Sequence, residues 1–336
     1  SGEAPPAAYF GVLMAVLERS GMEQARDIFY LQAHLLPHVH PALLRSKFEP
    51  LAKLFATALA SPPVQRDAPT LRSLVTCMGV VLRAQEASHE AWASPALTVP
   101  LSALVTLCSD SRPKVRRAAQ AAVLDVVTRH YAARGHGCNA IVGAALASVL
   151  RGATARDGAR ALQLMPLVRA AAPLLELKAA TEVVEALLGL PAAGAPKAAA
   201  LAYATLGSLL ESPRARLSIP FVQRVLRALL AAPPAPANWL PATEYPYALA
   251  AGLTRLASME RVRAGAAPLA PGAAAGGGIA VVLPGGASAS SPPLTATQEL
   301  LPEVVAALVG GFEAGRPAVH HASANSLVIV LTSAID

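Results

Sequence analysis

Apolar residues recur along most of the chain at the spacing of one face of an α-helix. Two clear stripes consist of Leu13, Val16 and Leu17 and of Leu51, Leu54, Phe55 and Leu59. Short breaks that contain Pro, Gly or Ser, such as Ser61-Pro62-Pro63, separate the helical blocks. The pattern predicts about fourteen helices of roughly 12 to 20 residues joined by short turns, which is typical of an α-solenoid.

A proline-anchored motif recurs at multiples of about 42 residues. Pro113 opens the string PKVRRA, and similar strings begin at Pro69, Pro196 and Pro317. The unmarked positions near 155 and 238 also precede sequences that suit helices. A period of about 40 to 47 residues with paired helices is that of HEAT and armadillo arrays. The sequence therefore predicts an all-α, HEAT/armadillo-like solenoid of about seven helix pairs.

The string from Asp110 to Ala119 has the residues expected at the start of the second helix of a HEAT repeat. We expect Asp110 or Ser111 to cap this helix and Pro113 to occupy its first turn. Val115 is expected to pack inward. The alanines at positions 118, 119 and 122 are expected to let neighbouring helices approach closely.

The longest uncharged stretch, residues 264–298, is interrupted repeatedly by Pro, Gly and Ser, so it holds no apolar helix of about 20 residues. We expect a HEAT-repeat array over residues 1–263, a low-complexity insertion over 264–293, and a further HEAT repeat that continues the array over 294–336. The N-terminus lacks the pattern of a secretory signal. We therefore expect a soluble intracellular protein with no membrane partner, and the abrupt ends suggest a piece of a longer one.

Composition narrows the class of protein further. Hydrophobic residues make up 54% of the chain and aromatic residues only 4%. Alanine and leucine, which favour helices, dominate the apolar content, and strand-forming residues are sparse. Cys77, Cys108 and Cys138 stand about thirty residues apart without a Cys-x-x-Cys pair. We expect them to be buried in helix interiors rather than to bind zinc or to form a redox site.

The sequence contains no nucleotide-binding P-loop, no Gly-x-Ser-x-Gly and no His-Glu-x-x-His motif. The glycines at 276–278 follow no predicted strand, so we do not expect them to form a phosphate loop. His34, His38 and His40 cluster without a nearby carboxylate or cysteine, so we interpret them as a polar turn rather than a zinc site. We expect no enzyme activity, cofactor, metal or small-molecule substrate, and no obligate homo-oligomer.

Positive charge is concentrated in one segment. Residues 111–170 hold ten basic and two acidic residues, a net charge of +8, whereas the whole chain carries +7. Most of these cations are arginines, which suit bidentate recognition of phosphate or carboxylate. The segment lacks the interleaved aromatic residues that stack single-stranded bases, so we expect contacts to backbone phosphates. The candidate contacts to RNA or to an acidic partner are Arg112, Lys114, Arg116, Arg117, Arg156 and Arg160.

One arginine per HEAT repeat often serves the fold instead of a partner. Arg116 could either contact a partner or serve the fold, because it is placed to pair with Asp110 or Asp125. Arg112, Lys114 and Arg117 are the cations that we expect the repeat not to need.

The decamer SRPKVRRAAQ, Ser111 to Gln120, resembles the signature of the ribosomal-RNA-processing protein 12-like family, long nucleolar HEAT-repeat proteins of ribosome assembly. The sequences at 69–78, 99–105, 162–168 and 221–230 resemble the family in order and spacing, so the resemblance covers about residues 25–263 and the final repeat. It implies a non-catalytic scaffold that binds pre-rRNA and ribosome assembly factors in nucleolar and nuclear pre-ribosomal particles. It also implies a role in nuclear export of the subunits.

The same fold permits other functions. A karyopherin-like transport receptor or adaptor would grip a protein cargo without RNA, and a tubulin-binding HEAT module would also offer a basic surface to an acidic partner. RNA binding with a steep salt dependence would distinguish the ribosome-assembly scaffold from the karyopherin-like receptor or adaptor.

Overall fold

The structure is a computed structural model that describes residues 5–133, 137–152, 158–193, 195–235, 238–264 and 295–334. These ranges contain α-helices and short 3-10 helices and no β-strand. No helix within them combines the length and the hydrophobicity needed to span a bilayer. The chain divides into two compact units, residues 1–216 and residues 217–336. The predicted insertion over 264–293 lies outside the described residues apart from Ala264, so the three-segment division stays a prediction.

The first unit is built from helix pairs in two layers. Its helices are α1 (Pro6–Ser20), α2 (Ala25–Leu35), α3 (Pro41–Ser46), α4 (Phe48–Ala60), α5 (Pro62–Arg66), α6 (Ala68–Arg83), α7 (His89–Trp92), α8 (Pro95–Leu107), α9 (Pro113–Ala132), α10 (Asn139–Arg151), α11 (Gly158–Ala171), α12 (Leu177–Gly189) and α13 (Pro196–Glu211). The pairs are α1–α2, α4–α6, α8–α9, α10–α11 and α12–α13. The first helices α4, α8, α10 and α12 pack side by side, and the second helices α2, α6, α9, α11 and α13 form the other layer.

The second unit repeats this arrangement with two pairs. It contains α14 (Ile219–Ala231), α15 (Trp239–Arg263), α16 (Ala296–Gly310) and α17 (Pro317–Ala334). Helix α14 packs on α16, and α15 packs on α17. Together the described residues of the two units hold seven helix pairs, so the predicted all-α fold of about seven pairs is confirmed.

The predicted repeat positions coincide with the starts of second helices. Pro113, Pro196 and Pro317 are the first residues of α9, α13 and α17, and Pro69 is the second residue of α6. The position near 238 coincides with the start of α15 at Trp239. The position near 155 lies outside the described residues, and α11 begins three residues later at Gly158. Proline suits the first helical turn, because a backbone N–H at that position has no acceptor within the helix and its absence costs no hydrogen bond.

Small residues let the stacked helices approach closely. Val115 and Ala119 are fully buried, as expected. A β-carbon added to Gly79 on α6 would lie 2.6 Å from the β-carbon of Ala122 on α9, so the backbones of these helices are already as near as their side chains allow. Gly143 on α10 has the same relation to α12. The alanine-rich sequence therefore reflects short distances between helices.

All three cysteines are buried and free, as predicted. Their placement in helix interiors is correct only for Cys77, since Cys108 caps the end of α8 and Cys138 precedes α10. Burial raises the pKa of the Cys138 thiol to about 12, so this side chain is a protonated, apolar group at neutral pH.

The close approach of α6 and α9 generates a stability prediction. Gly79→Val should lower the free energy of unfolding by about 1–3 kcal/mol, because the new side chain meets Ala122 and forces the helices apart. Gly189→Val is the matched control, since its added β-carbon has nothing within 4 Å. Urea unfolding followed by circular dichroism measures both. Equal stability of the two variants would contradict the packing described here.

Candidate nucleic-acid interface

The turn between α8 and α9 is organised by one carboxylate. Asp110 Oδ1 accepts hydrogen bonds from the backbone N–H of Arg112 at 2.8 Å and from its side-chain Nε at 2.9 Å. Arg112 Nη2 donates to Asp110 Oδ2 at 2.8 Å, which completes a bidentate ion pair. The hydrogen bond from Arg112 lowers the pKa of Asp110, and the same bond raises the pKa of Arg112. Both groups are therefore charged at neutral pH.

The expectation that Arg112 is surplus to the repeat is wrong. Besides its pair with Asp110, its Nη1 donates to the backbone carbonyl of Gln65, which lies in the preceding repeat. Arg112 also occupies the N-cap position of α9, where Asp110 or Ser111 was expected. The arginine thus links the turn to its neighbour, and its side chain is engaged within the fold.

Arg116 also serves the turn, although not through either of the expected carboxylates. Its Nη1 donates to the backbone carbonyl of Asp110 at 2.8 Å and approaches that of Ser111 at 3.4 Å. Asp125 instead pairs with Arg83 of α6, with Nη1 and Oδ2 3.1 Å apart. Arg112 therefore satisfies the side-chain carboxylate of Asp110, and Arg116 satisfies the backbone carbonyl of the same residue.

Lys114 and Arg117 remain available to a partner. They lie three residues apart on the first turns of α9, and both side chains are exposed. Neither has a hydrogen-bond or ion-pair partner among the residues that the structure describes. Residues three apart on a helix lie on the same face. The two cations therefore form a doubly charged patch beside the turn.

Arg160 continues this patch on the next second helix. The side chain of Gln120 donates to the backbone carbonyl of Gln163 at 2.7 Å, which aligns α9 with α11. Arg117 and Arg160 each precede these glutamines by three residues, so they occupy equivalent positions on adjacent helices. Arg160 is exposed on the first turn of α11, whereas Arg156 lies outside the described residues.

Two further cations near the starts of second helices were not among the sequence candidates. Arg72 is the fifth residue of α6, and Lys197 is the second residue of α13, as Lys114 is of α9. Both side chains are exposed. Because each second helix returns from a first helix, the starts of α6, α9, α11 and α13 share one edge of their layer. We call this set of exposed cations the basic row: Arg72, Lys114, Arg117, Arg160 and Lys197.

Helix stability does not explain the basic row. The positive end of the helix dipole lies at the N-terminus, where acidic side chains are favoured and cations are slightly unfavourable. None of α6, α9, α11 and α13 has an acidic residue in its first turn. The sequence signal for Arg72 and Lys197 was the repeat alignment of Pro69, Pro113 and Pro196, because both cations follow an aligned proline within three residues.

His38 and His40 lie in the turn between α2 and α3, as interpreted from the sequence, whereas His34 lies in the last turn of α2. His40 Nδ1 accepts a hydrogen bond from the backbone N–H of Ala42 and caps α3, while the ring of His34 lies edge-on to Tyr30. Across the described ranges, no group of three or more His, Cys, Asp or Glu side chains is arranged to hold a metal ion.

Comparison with known proteins identifies similar sequences. The family model described as RRP12-like, N-terminal HEAT repeats matches residues 2–217. This range coincides with the first compact unit, which ends at Arg216.

Two curated relatives match over a shorter stretch. The RRP12-like protein of Gallus gallus is 30% identical over 127 residues, and that of Homo sapiens is 28% identical over 127 residues. Each alignment covers 38% of this chain and 10% of the relative, so the chain spans about a tenth of the length of the relatives it matches.

The Asp110 pair predicts a pH-dependent contribution to stability. Because the folded-state pKa of Asp110 is lowered, its carboxylate stabilises the fold above its ordinary pKa, and this contribution is lost as pH falls through the folded value. Asp110→Asn should lower the free energy of unfolding by about 1–3 kcal/mol at neutral pH. The difference from the wild type should shrink between about pH 5 and about pH 2.

Asp125→Asn is the control for this experiment, because its pair with Arg83 is more exposed and should contribute less than about 1 kcal/mol. Chemical unfolding of the three proteins across this pH range measures both effects. A pH-independent loss in Asp110→Asn would mean that the charge of the carboxylate does not hold the turn.

Proposed function

This chain belongs to the RRP12-like family of proteins with N-terminal HEAT repeats, and we propose that it is a non-catalytic scaffold of ribosome assembly. In this proposal it binds the phosphate backbone of pre-rRNA and ribosome assembly factors in pre-ribosomal particles of the nucleolus and nucleus. It also takes part in nuclear export of the subunits.

The observation that supports the RNA contact is that four neighbouring cations differ in their partners. Arg112 and Arg116 are engaged by the turn, whereas Lys114 and Arg117 are exposed and have no partner among the described residues. The engaged pair holds the start of α9 in place, so the free pair is presented from a rigid helix. Because the backbone at the start of α9 is already fixed, binding of an anion has to order only the two side chains.

The chemistry of the basic row suits phosphate. Lysine and arginine neutralise phosphates and release the counterions condensed on the nucleic acid, which makes binding strong at low salt and weak at high salt. Such contacts position a protein on RNA without reading its sequence. A scaffold with this surface follows the path of an RNA strand.

Reversal of the free cations tests this proposal. Lys114→Glu combined with Arg117→Glu should weaken binding of the 336-residue chain to RNA by at least about tenfold at 100 mM salt. The slope of log affinity against log salt should fall by about 1.4 to 1.8, because two phosphate contacts are removed. Fluorescence anisotropy with a labelled RNA measures both quantities.

Lys53→Glu combined with Lys178→Glu makes the same change in net charge on the first helices α4 and α12, in the other layer. This control should retain most of the affinity, and circular dichroism should show the same helix content in all three proteins. Equal losses in the two double variants would mean that net charge alone attracts RNA. Absence of RNA binding by the wild type would favour the karyopherin-like alternative.

A further inference from the structure

We propose that a groove between α2 and α6 binds one unpaired nucleotide of an RNA strand that lies along the basic row. The inference rests on the proposed function and deepens it, because it specifies single-stranded RNA as the form recognised and assigns a base-binding position.

The groove lies at the edge that carries the basic row. It has a volume of about 320 Å³ and is lined by Arg26, Asp27, Tyr30, Pro69, Arg72 and Ser73. Arg72 belongs to the basic row, so the groove is continuous with that surface. The start of α6 supplies one wall, and the first turns of α2 supply the other.

Tyr30 gives the groove an aromatic surface. The residue is 54% exposed, whereas its neighbour Phe29 is completely buried. The ring of His34, one turn later on α2, contacts it edge-on with centroids 4.8 Å apart and an angle of 71° between planes. This contact restrains the tyrosine ring while leaving more than half of the residue open to a ligand. An exposed aromatic ring of this kind is a stacking platform for a base.

The charges around Tyr30 suit the backbone of the same nucleotide. Arg26 and Arg72 are exposed and line the groove together with one carboxylate, Asp27. Asp67, the N-cap residue of α6, lies outside the lining; its Oδ2 accepts the backbone N–H of Thr70 at 3.1 Å, and its charge interacts with that of Arg26. The lining itself holds two arginines and one carboxylate beside an aromatic ring, and cations beside an exposed aromatic ring bind single-stranded nucleic acid.

The aromatic ring favours a single strand over the other anionic partners. Bases within a duplex already stack on each other and offer no free face, so a tyrosine on the protein surface contributes nothing to duplex binding through stacking. An acidic protein segment would use the arginines but would gain no base stacking from Tyr30. The groove thus adds a requirement for an unpaired base to a surface that otherwise recognises only phosphates.

Binding of the whole chain to two RNA probes tests this assignment. The probes are a labelled 12-nucleotide single-stranded oligoadenylate and a labelled RNA duplex with the same number of phosphates per strand. Tyr30→Ala should weaken binding to the single strand by about 5-fold to about 160-fold, the range for loss of one stacked base, and should leave duplex binding unchanged. Tyr30→Phe keeps the ring and should retain the wild-type affinity.

Tyr9→Ala is the matched control, because Tyr9 is 53% exposed on α1 and does not line the groove. It should bind both probes as the wild type does. Thermal melts of all variants establish that they are folded.

If Tyr30→Ala binds the single strand as tightly as the wild type while Lys114→Glu/Arg117→Glu does not, the nucleotide position is wrong and the scaffold proposal stands. Equal losses for strand and duplex would also overturn the assignment, because stacking would not account for them. If the wild type binds neither probe, the proposed function itself fails.

Discussion

The ion pair between Asp110 and Arg112 is the interaction on which the candidate interface depends. It neutralises the only carboxylate at the turn before α9, and the same arginine reaches back to Gln65 in the preceding repeat. Arg116 satisfies the backbone carbonyl of Asp110. Arg112 and Arg116 are the two cations whose charges act on Asp110, and each contributes to the lowered pKa of that carboxyl. Lys114 and Arg117 take no part in this cluster, and their side chains stay exposed to solvent.

The packing of the helices turns this local arrangement into an extended surface. Close contacts such as Gly79 with Ala122 hold α6 against α9, and the Gln120–Gln163 bond sets the register between α9 and α11. Packed helices lie about 8–10 Å apart. Cations that occupy equivalent positions on successive second helices therefore recur at that spacing along one edge. The basic row and the Tyr30 groove are consequences of repeat geometry, since no single repeat supplies more than part of either.

Repeat periodicity made most of the fold predictable from the sequence. The prolines at 69, 113, 196 and 317 marked four second helices, and extrapolation of the period found two more, because each repeat builds the same supersecondary unit. The roles of individual cations were less accessible. The sequence could not show that Arg112 serves the fold, because its hydrogen bond to Gln65 joins residues 47 apart, a relation that no local pattern contains. Tyr30 was missed for the same reason, since only packing of α2 on α6 brings it beside Arg72. The contact role of Arg156 and the low-complexity insertion over 264–293 stay predictions, because Arg156 and nearly all of the insertion lie outside the described residues.

Ultraviolet cross-linking of the full-length protein in cells, followed by purification, RNA sequencing and mass spectrometry of the RNA-adducted peptides, tests the central claim most directly. The account predicts pre-rRNA as the bound RNA and adducts on peptides from the starts of α2, α6, α9, α11 and α13. Recovery of protein partners without cross-linked RNA would contradict it, as would adducts confined to the first helices α4, α8, α10 and α12.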